Sequence, residues 1–311
     1  MDVLLRLAAV GEDAEVSPYI VIATASSVLQ RVPHVSAFRG MVREIKPGTR
    51  IDTDALALEL GCTGYHRAEQ VMEPGEFAIR GGLIDLFPPG DCNPIRIDLF
   101  GDEVETLRSF DPVDQRTTGK VKVLRLKPMS EIVLSRDGVE RFRTRYRELF
   151  GAISGLDPLY EAVSNGQAYP GMEHWLPLFH PGLDTLFAYV PNSTVSLDHH
   201  AEEAIQARLD LISDYYESRR IADPSSGGAK LGLNEGSAVY HPVPPAELFL
   251  DGEEWSRLLM ATAPSDLRPF AAVDVDETAV DAGGRAGRDF ADVRAMPDGN
   301  VYEAFKQHSV E

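Results

Sequence analysis

A chain of 311 residues, 43% hydrophobic and 25% charged, has the make-up of a globular protein of about two domains. Its formal net charge of −19 disfavours non-specific nucleic-acid binding by the chain as a whole, and Cys62 and Cys92 lack the CxxC spacing of a metal or redox site. The apolar run YIVIATA (19–25) is far shorter than the roughly 20 residues of a membrane helix, and the N-terminus lacks the basic start of a signal peptide; the expectation is a cytoplasmic protein without a membrane partner.

Residues 1–9 carry Val3, Leu4, Leu7 and Ala8 on one helical face. YIVIATASSVLQRV then predicts a buried strand, covered on both faces as in a parallel sheet, running into a helix or turn. A parallel strand needs crossover units of a dozen or more residues around it, so a start ~18 residues upstream suggests a truncated sheet. DTDALALEL (52–60) predicts a helix with its N-cap at Asp52 or Thr53, closed by Gly61 and Gly64. Alternating segments follow: EFAIR (76–80), LIDLF (83–87), IRIDLF (95–100), EVETLRSF (103–110) and KVKVLRL (120–126), with turn residues between them. Closely spaced strands after one helix predict a compact, largely antiparallel α+β unit.

RDGVERFRTRYRELFG (136–151) is an amphipathic helix with Val139, Phe142, Tyr146 and Phe150 in one stripe. TLFAYVP and STVSLDHH (185–200) predict buried strands, and a helix follows at about 201–219. Residues 222–235 have the composition of a loop and 274–300 that of a linker, and YEAFKQHSVE begins another helix. The order is α/β, then an α+β insert, then α/β again.

In IRIDLF, Ile95, Ile97 and Leu99 share one face, while Arg96, Asp98 and Phe100 share the other, which alternation sends to solvent. An aromatic ring among charges on a wet face is a candidate contact residue, because Arg and aromatic side chains dominate interface hot spots. Two basic islands interrupt the acidity: residues 31–50 hold five Arg or Lys against Glu44 alone, and residues 116–127 hold five and no acid.

Patterns of catalysis are missing. Gly119-Lys120 is followed by Val121, and Asp114 stands where a phosphate-binding loop needs its first glycine. His199-His200 sits among acids, but adjacent residues of a strand face opposite sides and share a metal poorly. Asp85 and Asp98 have no basic partner pattern beside them and read as solvated strand-face residues.

The stretch VMEPGEFAIRGGLIDLFPPGDCNPIRIDLFGDEVETLRSFDPVDQRT (71–117) resembles the second domain of the bacterial transcription-repair coupling factors (Mfd) and, more distantly, the UvrA-binding domain of the excision-repair protein UvrB. The likeness continues in order through IVIATASSVLQRV, GYHRAEQ, YPGMEHWLPLF (169–179) and TLFAYVPNSTVSLD (185–198). EPGEFAIRGG, FDPVDQRT and GMEHWLPLF favour the coupling-factor side. So does Asp198-His199, which stands where an active ATPase would carry an Asp-Glu pair.

The resemblance implies a fragment with an α/β fold: a partial RecA-like, UvrB-type lobe split by an inserted α+β domain with a largely antiparallel sheet. Residues 1–41 would be the end of the first lobe, 42–128 the UvrA-binding domain, 129–265 the returning, degenerate part of the lobe, and 266–311 a linker into the next domain. It further implies docking on UvrA through Arg80, Arg96 and Phe100. No cofactor and no catalysis belong to this chain on that reading. ATP and magnesium serve the motor domains of the full-length protein, a translocase that meets RNA polymerase and double-stranded DNA. A UvrB-like fragment, a DNA-contacting module using the basic islands, and a scaffold in which 95–100 packs within a larger chain remain the alternatives.

Overall fold

The structure, a computed structural model, describes residues 1–10, 18–38, 40–151, 157–222, 240–269, 280, 288–296 and 299–308. In chain order they form α1 (Asp2–Val10), α2 (Ala25–Leu29), β1 (Val32–Pro33), β2 (Arg43–Ile45) and α3 (Thr53–Cys62). Next come β3 (His66–Arg67), β4 (Glu76–Arg80), β5 (Leu83–Leu86), β6 (Ile95–Phe100), β7 (Glu103–Phe110), β8 (Thr117–Lys120) and β9 (Leu124–Leu126). The chain continues through α4 (Arg136–Phe150), α5 (Pro158–Ser164), β10 (Leu183–Asp184), α6 (Leu186–Tyr189), β11 (Ser196–Asp198) and α7 (Ala201–Ala222). It ends with α8 (Pro245–Leu248), α9 (Gly252–Ala261), β12 (Ser265–Leu267), α10 (Ala291–Arg294) and α11 (Val301–His308). The fold is mixed α/β with a largely antiparallel main sheet.

Strands β3 to β8 form a six-stranded sheet in sequence order, antiparallel except for the short β3–β4 pair. Period-two alternation puts Phe77, Ile84, Leu86, Ile95, Ile97, Val104 and Leu107 on one face, where Leu56 and Leu60 of α3 cover them. The Asp52 carboxylate starts that helix by accepting from the Asp54 and Ala55 N–H groups, at 3.0 Å each. The helix runs through Gly61 to Cys62, and the Thr63 hydroxyl donates to the Glu59 carbonyl at its end. KVKVLRL splits, because β9 leaves the large sheet to pair with β2.

The α4 stripe behaves as its spacing predicts: Phe142 and Tyr146 are buried against Leu159, Val163, Trp175 and Phe179. A further cluster joins Leu29 to Ile205, Leu250 and Trp255. Backbone bonds lock it: the Leu250 N–H donates to the Leu29 carbonyl and the Arg31 N–H to the Leu248 carbonyl, both at 2.8 Å, while Arg31 pairs with Glu254 at 2.6 Å.

Of three expected buried strands, two are not formed and the third is short and largely exposed. Residues 18–24 have no strand partner, and Ile20 and Ile22 are 90% and 93% exposed; only Val21 tucks against the α1 cluster. A run without alternation carries a strand's composition but no neighbour to pair with. TLFAYVP is a helical turn, α6, with Tyr189 buried and its hydroxyl donating to the Pro33 carbonyl at 2.5 Å. STVSLD gives only β11, which pairs in parallel with β12 and leaves Ser196 and Asp198 exposed. Outside the six-stranded sheet, pairings among the described residues are two-stranded. The chain divides into one unit of 1–195 with 200–264 and another of 196–199 with 265–311. In the second, the Phe290 ring meets the Phe305 ring edge-on at 6.0 Å. Ala222 of the expected loop at 222–235 ends α7; the rest of that loop and most of the linker at 274–300 lie outside the described residues, α10 and its flanks excepted.

Asp52→Ala should cost about 1 kcal/mol by loss of the cap, measured as a lower urea midpoint with unchanged slope.

Candidate functional site

The second face of the six-stranded sheet is more polar than the first. Its apolar part is small, with Val71, Ala78, Phe87 and Phe110 buried together. Beside them the register lines up charged residues from four strands: Ala78 faces Asp85, Asp85 faces Arg96, Arg96 faces Arg108, and Arg108 faces Lys120. One row further, Arg80 faces Leu83, Leu83 faces Asp98 and Asp98 faces Thr106.

Asp85 is 1% exposed and both of its oxygens are occupied. The Arg96 guanidinium donates from Nε at 2.7 Å and from Nη2 at 2.8 Å, a bidentate clamp, and Arg80 Nη2 donates at 2.6 Å. Arg96 also lies over the Phe110 ring, 4.7 Å from its centre. Its hydrogen bonds to the Asp85 carboxylate raise the Arg96 pKa above its already high ordinary value, against an opposing desolvation effect, so this guanidinium stays charged. A second network lies alongside, in which Asp98 accepts from Arg108 Nε at 2.8 Å and from the Thr106 hydroxyl at 2.6 Å.

Asp85 and Asp98 are therefore the centres of two ion-pair networks rather than solvated carboxylates. Their partners stand across strands, directly opposite (Arg96, Thr106) or one diagonal step away (Arg80, Arg108), where the linear sequence of one strand cannot display them. Arg96, expected on the wet face, has only 17% of its side chain exposed. It is a strut between Asp85 and Phe110.

Phe100 and Arg80 differ from it. The Phe100 ring is 82% exposed at the end of β6. Gly101 turns the β6–β7 hairpin at φ 65° within two residues, a conformation that favours glycine. The β4–β5 turn, Gly81-Gly82, adjoins it through the Leu99 N–H, which donates to the Gly82 carbonyl at 2.8 Å, and two glycines bring no side chain to shelter the ring. Arg80, half exposed at 50%, and partly exposed Leu83 flank the same turn. A register shift after Asp98 leaves Glu105 as an extra residue in β7, so Val104 turns into the core beside Leu99 and Glu103 stands opposite Phe100 on the charged face. The structure thus joins Arg80 and Arg96 through Asp85, with Phe100 about 13 Å along the strand from Arg96. The linear sequence does not mark Leu83, Asp85, Asp98 and Arg108 as part of this surface; the outward parity of Leu83 and Arg108 is the available signal.

The other candidates lie apart. Gly119-Lys120 is strand rather than phosphate loop. His199 Nδ1 pairs with Asp198 Oδ1 at 2.7 Å on the exposed end of β11. Among the described residues no group of three or more His, Cys, Asp or Glu could hold a metal, and no helix is long and apolar enough to cross a membrane.

This sheet and its helix α3 fall inside residues 44–132, which match the UvrB interaction domain family. The transcription-repair-coupling factor of Escherichia coli (strain K12) is 38% identical over 244 residues, covering 78% of this chain and 21% of that protein. The counterpart from Haemophilus influenzae is 37% identical over 214 residues, 67% of this chain and 19% of that protein, and the one from Bacillus subtilis 30% identical over 225 residues, 65% and 19%. The chain is a member of the transcription-repair-coupling factor family. It spans about a fifth of the length of these curated relatives. Within that family, the charged face described above belongs to the segment with the UvrB interaction pattern.

Asp85→Ala leaves two guanidinium groups without their carboxylate, one of them nearly buried, and should cost about 3 kcal/mol. Arg80→Ala, which leaves the Arg96 clamp intact, should cost less than about 1 kcal/mol. Denaturant unfolding of the two variants checks the contrast.

Proposed function

We propose that this chain is the UvrA-docking module of a transcription-repair coupling factor, bringing excision-repair proteins to stalled transcription. The carrying observation is Phe100, an aromatic ring left 82% exposed at the tip of a hairpin whose base is fixed by buried ion pairs. Beside it stand Arg80, with half its side chain in water, and Leu83. An exposed aromatic ring next to a pre-positioned arginine is the pairing of residue types that dominates interface hot spots. Arg96 serves the same face from below, holding Asp85 and hence Arg80.

On this reading residues 42–128 do the docking, 1–41 and 129–265 carry them as a UvrB-like lobe without ATPase motifs, and 266–311 lead onward. The chain works in the cytoplasm and performs no catalytic step. ATP, magnesium, double-stranded DNA and RNA polymerase belong to other segments of the longer protein, an ATP-driven translocase that displaces stalled polymerase. The basic islands offer less to a DNA-contacting module than their composition suggests, because several of their cations are engaged within the protein. Arg43 pairs with Glu59, Lys46 with Glu44, Arg31 with Glu254, and Lys127 with both Asp2 and Asp91.

Calorimetric titration with UvrA tests the proposal. Phe100→Ala should weaken binding by about 2 kcal/mol, roughly thirtyfold, and leave the unfolding midpoint unchanged. Arg80→Ala should weaken it with little loss of stability. Arg96→Ala is the poorer probe, since it removes a strut as well as a contact. Absence of binding by the folded wild type, or full affinity of Phe100→Ala, would overturn the reading.

A further inference from the structure

Arg96, Arg108 and Lys120 stand directly opposite one another on adjacent strands, three cations in a row ~4.8 Å apart. Like charges in that relation destabilise a sheet. Two of the three have counter-charges, Arg96 on Asp85 and Arg108 on Asp98. Lys120 has none: among the described residues its ammonium makes no ion pair and no side-chain hydrogen bond, and it is exposed on the outer strand. The row is continuous with the surface that bears Arg80, Leu83 and Phe100, and it sits on a chain whose net charge is −19.

We infer that the docking face extends across β7 and β8, and that Arg108 and Lys120 receive carboxylates from the docked protein, Lys120 taking the counter-charge that its own fold withholds. This rests on the docking reading above and adds the electrostatic character of the partner's surface: apolar opposite Phe100, acidic opposite the outer strands. A protein fits better than a nucleic acid. Asp102, Glu103 and Glu105, all exposed, crowd the hairpin at Phe100 and would repel a phosphate backbone, whereas a protein surface can set its charges residue by residue. A lysine on an edge strand also deters strand-to-strand aggregation. That service requires a charge but not its sign, so a charge reversal separates the two roles.

Lys120→Glu is the test, with titration against UvrA at low and high salt beside wild type and Phe100→Ala. The variant should unfold no earlier than wild type, because it replaces a like-charge pair with Arg108 by an opposite one. It should bind UvrA about tenfold more weakly at low salt, with the difference shrinking at high salt, while the Phe100→Ala defect persists at both. Wild-type affinity of Lys120→Glu together with weakened Phe100→Ala would overturn this extension and leave the docking reading standing. No UvrA binding by wild type would overturn both. Salt-sensitive binding of a DNA duplex oligonucleotide that Lys120→Glu abolishes, with UvrA affinity intact, would overturn it by reassigning the row to nucleic acid.

Discussion

A carboxylate at 1% exposure cannot stand alone, because stripping its water costs several kcal/mol unless opposite charge and hydrogen bonds replace it. Asp85 meets that demand only because β4, β5 and β6 are held in one register, which brings Arg80 from one side and Arg96 from the other. A one-residue slip would send each of these side chains to the opposite face and bury the arginines in the apolar core. The ion pairs and the alternating core residues therefore specify the same alignment from the two faces of one sheet. The strand that carries Phe100 inherits its position from that agreement.

The arrangement divides labour among residues of similar chemistry. Arg96 is spent on the fold, clamped by two hydrogen bonds and stacked on Phe110. Arg80 holds Asp85 by a single bond to an oxygen that Arg96 also holds, so it can turn outward without stranding the carboxylate. Preorganised side chains lose less entropy on association than free ones. A rigid base with one adaptable arginine and one exposed ring combines firm placement with freedom at the surface.

Much of this was legible in the linear sequence, and the failures have a common cause. Alternation placed β4 to β7, the Asp52 cap placed the start of α3, and helical spacing placed Phe142 and Tyr146 in a core. All three signals are local. Residues 18–24 and 185–190 are apolar without a period, and composition alone could not tell strand from helix or from an unpaired segment. Asp85 looked solvated because its partners lie five and eleven positions away, adjacent only after the hairpins close. The outward direction of Phe100 was readable; its lack of cover depends on a glycine pair in a neighbouring turn and on a bulge, which no single strand reveals. Alternation alone marks Arg96 and Phe100 as contact candidates, whereas Arg80 and the identity of the partner come from the resemblance.

The bonds between residues 29–31 and 248–254 have a consequence for the order in which the molecule is born. Arg31 and Glu254 are 223 positions apart, so at about 5–20 residues per second a ribosome delivers the second roughly eleven to forty-five seconds after the first. The core under the six-stranded sheet draws all its members from residues 45–129 and needs nothing made later. The middle of the chain can thus mature while its beginning still waits, with Leu29 uncovered until Leu250 and Trp255 arrive.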